Sequence, residues 1–135
     1  MSKEEYVAYE TAKLLKEKGF DWFTYAYYTK DDVDEKPYFG MENLCPDNWN
    51  GEDGEVNDLW FSAPTQQMAC HWLYKEKGFY IAILPCEKGF HAMIYHTGVS
   101  RHLEYLSLVQ DKEHDNPTPQ QAIESALQYC LTKLI

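Results

Sequence analysis

Positive charge is scarce in this 135-residue chain: twelve Lys or Arg stand against twenty-two Asp or Glu, for a formal charge of −10. A chain so poor in cations has little with which to track a phosphate backbone, and nucleic acid is disfavoured as a partner. Long apolar runs are also missing. Stretches such as Phe79 to Leu84 fall far short of the roughly 20 residues that cross a bilayer as a helix, so no integral membrane role is expected. Paired ligand spacings are absent, since neither Cys-x-x-Cys nor His-x-x-x-His occurs, and a structural zinc site normally draws on such pairs. The four cysteines, Cys45, Cys70, Cys86 and Cys130, have no close pairing. With the polar start Met1-Ser2-Lys3-Glu4-Glu5 showing no signal-peptide pattern, they read as free thiols in a reducing cytoplasm.

The negative charge that is present is concentrated. From Asp31 to Asp58 there are ten Asp or Glu residues against Lys36 alone, a net of −9, while the flanks are almost neutral. The same stretch, 30–57, lacks sustained periodicity and carries Pro37, Gly40, Pro46, Gly51 and Gly54. It is expected to be a long acidic loop, spanning about 30–58, packed down in part by Tyr38, Phe39, Met41, Leu44 and Trp49.

Elsewhere the elements announce themselves. Lys16-Glu17-Lys18-Gly19-Phe20 recurs as Lys75-Glu76-Lys77-Gly78-Phe79, and each copy closes a helix at glycine and opens a strand. The first helix is expected over Lys3 to Lys18, with Val7, Ala8, Ala12, Leu14 and Leu15 as its apolar stripe. An aromatic strand is expected from Trp22 to Thr29, placing Trp22, Thr24, Ala26 and Tyr28 on one face and Phe23, Tyr25, Tyr27 and Thr29 on the other. A second helix is expected from near Pro64, with Ser62 or Thr65 as its cap. Phe79 to Leu84 and Phe90 to Thr97 read as a hairpin, followed by a strand around His102 to Val109. Thr118-Pro119-Gln120-Gln121 opens the last helix with cap, first-turn proline and capping-box spacing. The expected fold class is α+β, a single domain over 1–135, its antiparallel sheet of about four strands packed against two or three helices. The order is helix, strand, loop, helix, three strands, helix.

No constellation of side chains specifies a reaction, and no catalytic residue, metal or cofactor is assigned. His91 and His96 fall on opposite faces of one strand because their separation is odd. Cys70 and His71 are consecutive and diverge by about 100° on a helix. Asp47 to Glu55 superficially suggests calcium, but a loop starting at Asp47 puts Trp49 at position 3 and Glu52 at position 6, where a calcium hand needs an oxygen ligand and a glycine. The order from Pro64 to Ile135 matches double-stranded RNA-binding domains, yet the last helix carries only Lys133 as a basic residue, without the phosphate-tracking surface such domains use.

The content of eleven Tyr, six Phe and four Trp points instead to recognition, since rigid aromatics are favoured in interfaces. Tyr25, Tyr27, Tyr28, Tyr38, Phe39 and Trp49 gather around the strand-to-loop region. With the acidic residues beside them, the candidate interaction surface is Tyr27, Asp31, Asp32, Asp34, Tyr38, Phe39 and Trp49. The expectation is a noncatalytic accessory or protein-interaction domain. The alternative is a small hydrolase or ligand-binding enzyme using loop carboxylates with Cys86 and His91.

Ser62-Ala63-Pro64-Thr65-Gln66-Gln67, followed by Ala69 and by Trp72-Leu73-Tyr74-Lys75-Glu76-Lys77, resembles a signature of small uncharacterised proteins of gut Bacteroidales and their phages or prophages. In that group an Ala-Pro-Thr start precedes a helix ending in a Trp-Leu-Arg-Glu-Lys-like run and then a strand. Tyr74 stands here where arginine is common. The resemblance implies a bacterial or phage origin and no site residue.

Overall fold

The computed structural model describes residues 5–30, 37–39, 46–51, 60–86, 89–97, 103–106 and 117–135. Its elements are α1 (Tyr9–Glu17), β1 (Ala26–Thr29), β2 (Tyr38–Phe39), β3 (Trp60–Ala63), α2 (Gln66–Trp72, continued by a π-helical turn Leu73–Lys77), β4 (Phe79–Cys86), β5 (Gly89–Thr97), β6 (Leu103–Leu106) and α3 (Pro119–Tyr129, continued by a π-helical turn Cys130–Leu134). The fold is α+β. The chain forms two compact units, Met1–Thr65 and Gln66–Ile135, and the described strands form two antiparallel sheets of three, ordered β2-β1-β3 and β4-β5-β6. β2 and β3 are the strands not expected from sequence. The first lies inside the stretch read as loop, and the second is a four-residue run abutting Pro64.

In the first unit, α1 begins at Tyr9 and not at Lys3, because the residues before it bond to a distant segment. Val7 N–H donates to Pro64 O at 3.0 Å, and Tyr6 bridges Thr65 antiparallel. Ala8 is accordingly extended (φ −69°, ψ 161°). A backbone pairing of this kind satisfies amides that the first helical turn would leave without partners, so it outweighs helix propensity at residues 5–8. Thr11, Ala12 and Leu15 form the buried stripe of α1. Its end is specified locally: Gly19 takes a left-handed φ of 92°, its N–H donates to Lys16 O, and Phe20 N–H donates to Leu15 O at 3.0 Å. These are the paired bonds of a Schellman termination.

β1 is central in its sheet and sorts its residues by parity. Thr24, Ala26 and Tyr28 are buried, whereas Phe23 and Tyr25 are exposed and Tyr27 and Thr29 are half-buried. The buried parity meets α1, where the Tyr9 ring stands edge-on to Tyr28 (5.5 Å) and Phe61 (5.7 Å). Tyr28 Oη donates to Val7 O at 2.7 Å, tying the sheet to the segment ahead of α1. Regular pairing covers only Ala26–Thr29 of the strand expected over Trp22 to Thr29, with Thr24 forming an isolated bridge to Asp47.

In the second unit, β4 and β5 pair from Phe79↔His96 to Cys86↔Gly89, which carries Pro85 into the strand and leaves Glu87 and Lys88 between the two. α3 lies against β4, β5 and α2. Ala122, Ala126, Leu127, Cys130 and Leu131 are fully buried along one of its faces. Its start follows the sequence signal, with Thr118 Oγ1 accepting from Gln121 N–H at 3.2 Å. Gln66, buried at the start of α2, donates through Nε2 to Gln120 O (2.9 Å) and Glu124 Oε1 (3.1 Å), so α2 and α3 are joined by polar as well as apolar contact. Gly78 (φ 80°, ψ 15°) ends the second helical run.

A Cβ placed on Gly19 meets no atom within 4 Å, so only the backbone opposes a side chain there. Gly19→Ala is expected to cost about 1–2 kcal/mol in urea denaturation, and Gly19→Asn less, because asparagine tolerates the left-handed region better. Equal stability of the Gly19→Ala variant and the parent chain would contradict the assignment of this glycine as the obligatory stop.

Candidate functional site

The half-exposed parity of β1 carries an aromatic cluster. Tyr27 stacks with Tyr38, its cross-strand partner on β2, at 5.9 Å between ring centroids. It also packs on Trp49 at 4.4 Å and on Trp60 of β3 at 5.7 Å. Trp49 and Trp60 meet edge-on at 6.0 Å. Three candidates expected from sequence, Tyr27, Tyr38 and Trp49, are thus brought together. Trp60 joins them although sequence reasoning placed it in no site: it shares a face with Ser62, which pairs with Tyr27 across the β1–β3 ladder. Tyr38 is 48% exposed and Trp60 42%, so the rings are held by one another while much of their surface remains open. Tyr28, grouped with them by sequence proximity, belongs to the opposite, buried parity. Phe39, on β2, pairs with Ala26 of β1. Asp31, Asp32 and Asp34 lie outside the described residues.

Trp49 is fixed by a short segment, Pro46–Gly51, that sits against the sheet. Asp47 and Thr24 exchange backbone hydrogen bonds of 2.9 and 3.0 Å. Trp49 Nε1–H donates to Thr24 O at 2.8 Å, and Trp49 N–H donates to Ser62 Oγ at 3.0 Å. Asn50 acts as a clasp: its Nδ2 donates to Phe20 O (2.8 Å) and its Oδ1 accepts from Ser62 N–H (2.8 Å). Asn48 closes the turn, accepting from Asn50 N–H and donating to Gly51 O. Buried backbone groups need partners, and Asn50 supplies one to the strand β3 and another to the chain leaving α1. Part of the stretch read as loop therefore does pack down, through polar side chains as much as through Trp49.

Of the alternative reading, Cys86 and His91 lie in the second unit and the loop carboxylates belong to the first. The β4–β5 register sets Cys86 opposite Gly89 and His91 opposite Leu84, so two rungs, ~7 Å along the strands, separate them. His96 stacks on Phe79 at 4.6 Å, its partner across the hairpin. Among the described residues, no three His, Cys, Asp or Glu side chains converge as a metal ion would require. No described helix is long and apolar enough to cross a membrane.

Cys70 and Cys130 are free thiols. Burial pushes Cys70 up to about 12, with the nearby Glu124 carboxylate adding to the rise; Cys130 is also pushed up to about 12, by burial first and then by Cys70. The thiolate is the nucleophilic form, so both sulfurs are protonated and unreactive at neutral pH.

No known protein family, curated protein or solved structure gives a significant match to the chain.

Removing the clasp by Asn50→Ala leaves a buried amide and a buried carbonyl without their side-chain partner, at a cost of about 1–3 kcal/mol. Chemical denaturation measures the loss, and a red-shifted tryptophan emission is expected to report release of Trp49. A chain with Cys45→Ser and Cys86→Ser isolates Cys70 and Cys130. In that background iodoacetamide is expected to label slowly when folded at pH 8 and rapidly in urea. The linkage has a definite sign: an unfolded thiol ionises near 9.0 while the folded ones hold their protons to about 12. The thiol contribution is therefore intact below pH 9 and is lost as pH rises toward 12, because the unfolded state releases protons first. Fast labelling of the folded chain would refute the protection.

Proposed function

We propose that the chain is a noncatalytic accessory or protein-interaction domain of bacterial or phage origin, and that it recognises its partner with the aromatic face formed by Tyr27, Tyr38, Trp49 and Trp60. The observation that carries this reading is the mutual packing of these four rings on the parity of β1 opposite α1, with Tyr38 and Trp60 both more than two-fifths exposed. An isolated exposed ring is ordinary, but a contiguous group is the kind of surface that partners cover. Tyr and Trp bring large contact area at small entropic cost and keep a polar group at the edge of each ring. Rigidity adds to this, since Trp49 is anchored through both its amide and its indole N–H and little ordering remains to be done on binding. Tyr25 and Phe23, 46% and 59% exposed, extend the same parity toward the preceding residues. The bacterial or phage origin rests on the signature running from Ser62 to Lys77.

Affinity capture from bacterial lysate, with the parent chain and a Tyr38→Ala/Trp60→Ala variant side by side, tests the reading. A partner held by the parent is expected to be lost or weakened by roughly tenfold or more in the variant, the effect of truncating central aromatic anchors. Circular dichroism establishes that the variant is folded. Equal retention by the two chains would remove this face from recognition.

A further inference from the structure

The side chain that clasps the first sheet is followed by the residue that makes it chemically least durable. Asn50-Gly51 is the only Asn-Gly pair in the chain. We propose that Asn50 is a modification site, converted by spontaneous deamidation when the clasp is open and held unreacted while it is closed.

The reaction needs no second protein, only water. The Gly51 amide nitrogen attacks Asn50 Cγ and bonds to it, the Cγ–Nδ2 bond breaks, and ammonia leaves with the proton that the attacking nitrogen gives up. Water then opens the cyclic imide at either of its carbonyls. Opening at Cγ gives aspartate, and opening at the main-chain carbonyl gives an isoaspartyl link, in which the backbone runs through the former side chain. Nothing is oxidised or reduced. Glycine favours the attack because no Cβ crowds the nitrogen or restricts the backbone beside it. The turn itself calls for that glycine, since Gly51 holds a left-handed φ of 93°, a region costly for residues with a side chain. The geometry that seats Trp49 thus brings the susceptible pair with it.

The folded structure opposes both requirements of the attack. The Asn50 carboxamide is held between two distant segments, Nδ2 donating to Phe20 O and Oδ1 accepting from Ser62 N–H, each at 2.8 Å. Swinging Cγ onto the nitrogen that follows it turns the group away from both partners. The nucleophile is engaged as well: Gly51 N–H donates to Asn48 O at 3.3 Å, and Asn48 Nδ2 donates to Gly51 O at 3.0 Å. Reaction therefore proceeds through molecules in which this segment has opened, and its rate follows the opening equilibrium. The product does not reclose as before. An aspartate has only acceptors at neutral pH, so an oxygen faces the Phe20 carbonyl where Nδ2 donated. The isoaspartyl form adds a methylene to the main chain ahead of Gly51. Either product loses the tie from Asn50 to the chain leaving α1, beside the anchored Trp49.

The test incubates the full chain at mildly alkaline pH, folded in buffer and unfolded in guanidinium chloride, and follows the amide-to-acid mass gain at each asparagine by tandem mass spectrometry. That gain separates the reaction from isomerisation at Asp53-Gly54, which leaves the mass unchanged. In denaturant Asn50 is expected to convert faster than Asn48, whose following residue is the bulky Trp49. Folding is expected to slow conversion of Asn50 by roughly tenfold or more. Gly51→Ala is expected to slow the reaction in denaturant, where its effect on the fold plays no part. An Asn50→Asp chain, made directly, is expected to unfold at lower denaturant than the parent, and a chain too weak to fold at all is the extreme of the same result. Asn50 reacting no faster than Asn48 in denaturant, or no slower in Gly51→Ala, would overturn the site. Equal rates in folded and unfolded chains would overturn the protection, and a parent-like midpoint for Asn50→Asp would overturn the consequence for the clasp.

Discussion

The antiparallel pairing of β1 with β3 governs the first unit. Its register sets Ala26 against Ala63, Tyr27 against Ser62 and Thr29 against Trp60, and side chains alternate strictly between the faces of a strand. Ala26, Tyr28, Phe61 and Ala63 are thereby turned to α1, and Tyr27, Trp60 and Ser62 to the other side. A slip of one residue would exchange the two sets, placing Trp60 under the helix and breaking the bonds that Ser62 makes to Trp49 and Asn50. The polar clasp and the apolar packing therefore specify the same register. That agreement between levels is what lets so short a ladder hold one arrangement.

Asn50 and Trp49 serve the sheet and the candidate face at once. The Asn50 amide joins the residue that follows the Schellman stop, Phe20, to the middle of β3, and Trp49 stands beside it with its indole N–H on the Thr24 carbonyl. The ring that contacts Tyr27 most closely is thus positioned by hydrogen bonds to Thr24, ahead of β1, and to Ser62 of β3, and not by packing alone. Such directional bonds fix orientation more narrowly than apolar contact does, which is why an exposed group of rings can keep a defined shape.

Local signals were legible in the sequence and distant pairings were not. The start of α3 is written in Thr118-Pro119-Gln120-Gln121, the stops at Gly19 and Gly78 in single glycines, and the β4–β5 hairpin in two apolar runs flanking a short turn. In each, the deciding hydrogen bonds join residues a few positions apart. The beginning of α1 depends on Val7 meeting Pro64, and β3 depends on β1, so helical spacing over Lys3 to Lys18 and a cap at Ser62 pointed elsewhere. The candidate site divides along the same line. Tyr27, Tyr38 and Trp49 were found because aromatic residues are dense in that region, whereas Trp60 enters only through strand register. Tyr28 was grouped with them by proximity, and strand parity sends it to the core.

The Asn50 side chain carries a second consequence for the lifetime of the folded chain in a crowded solution. β3 is an outer strand of its sheet, and outer strands offer unpaired amides on which other chains can nucleate intermolecular sheet growth. At Ser62 that amide is already taken by a side chain of the same molecule. A stretch as aromatic as Trp60-Phe61 would otherwise be a seed for fibril-like assembly, and a single asparagine denies it one of the rungs on which such growth begins.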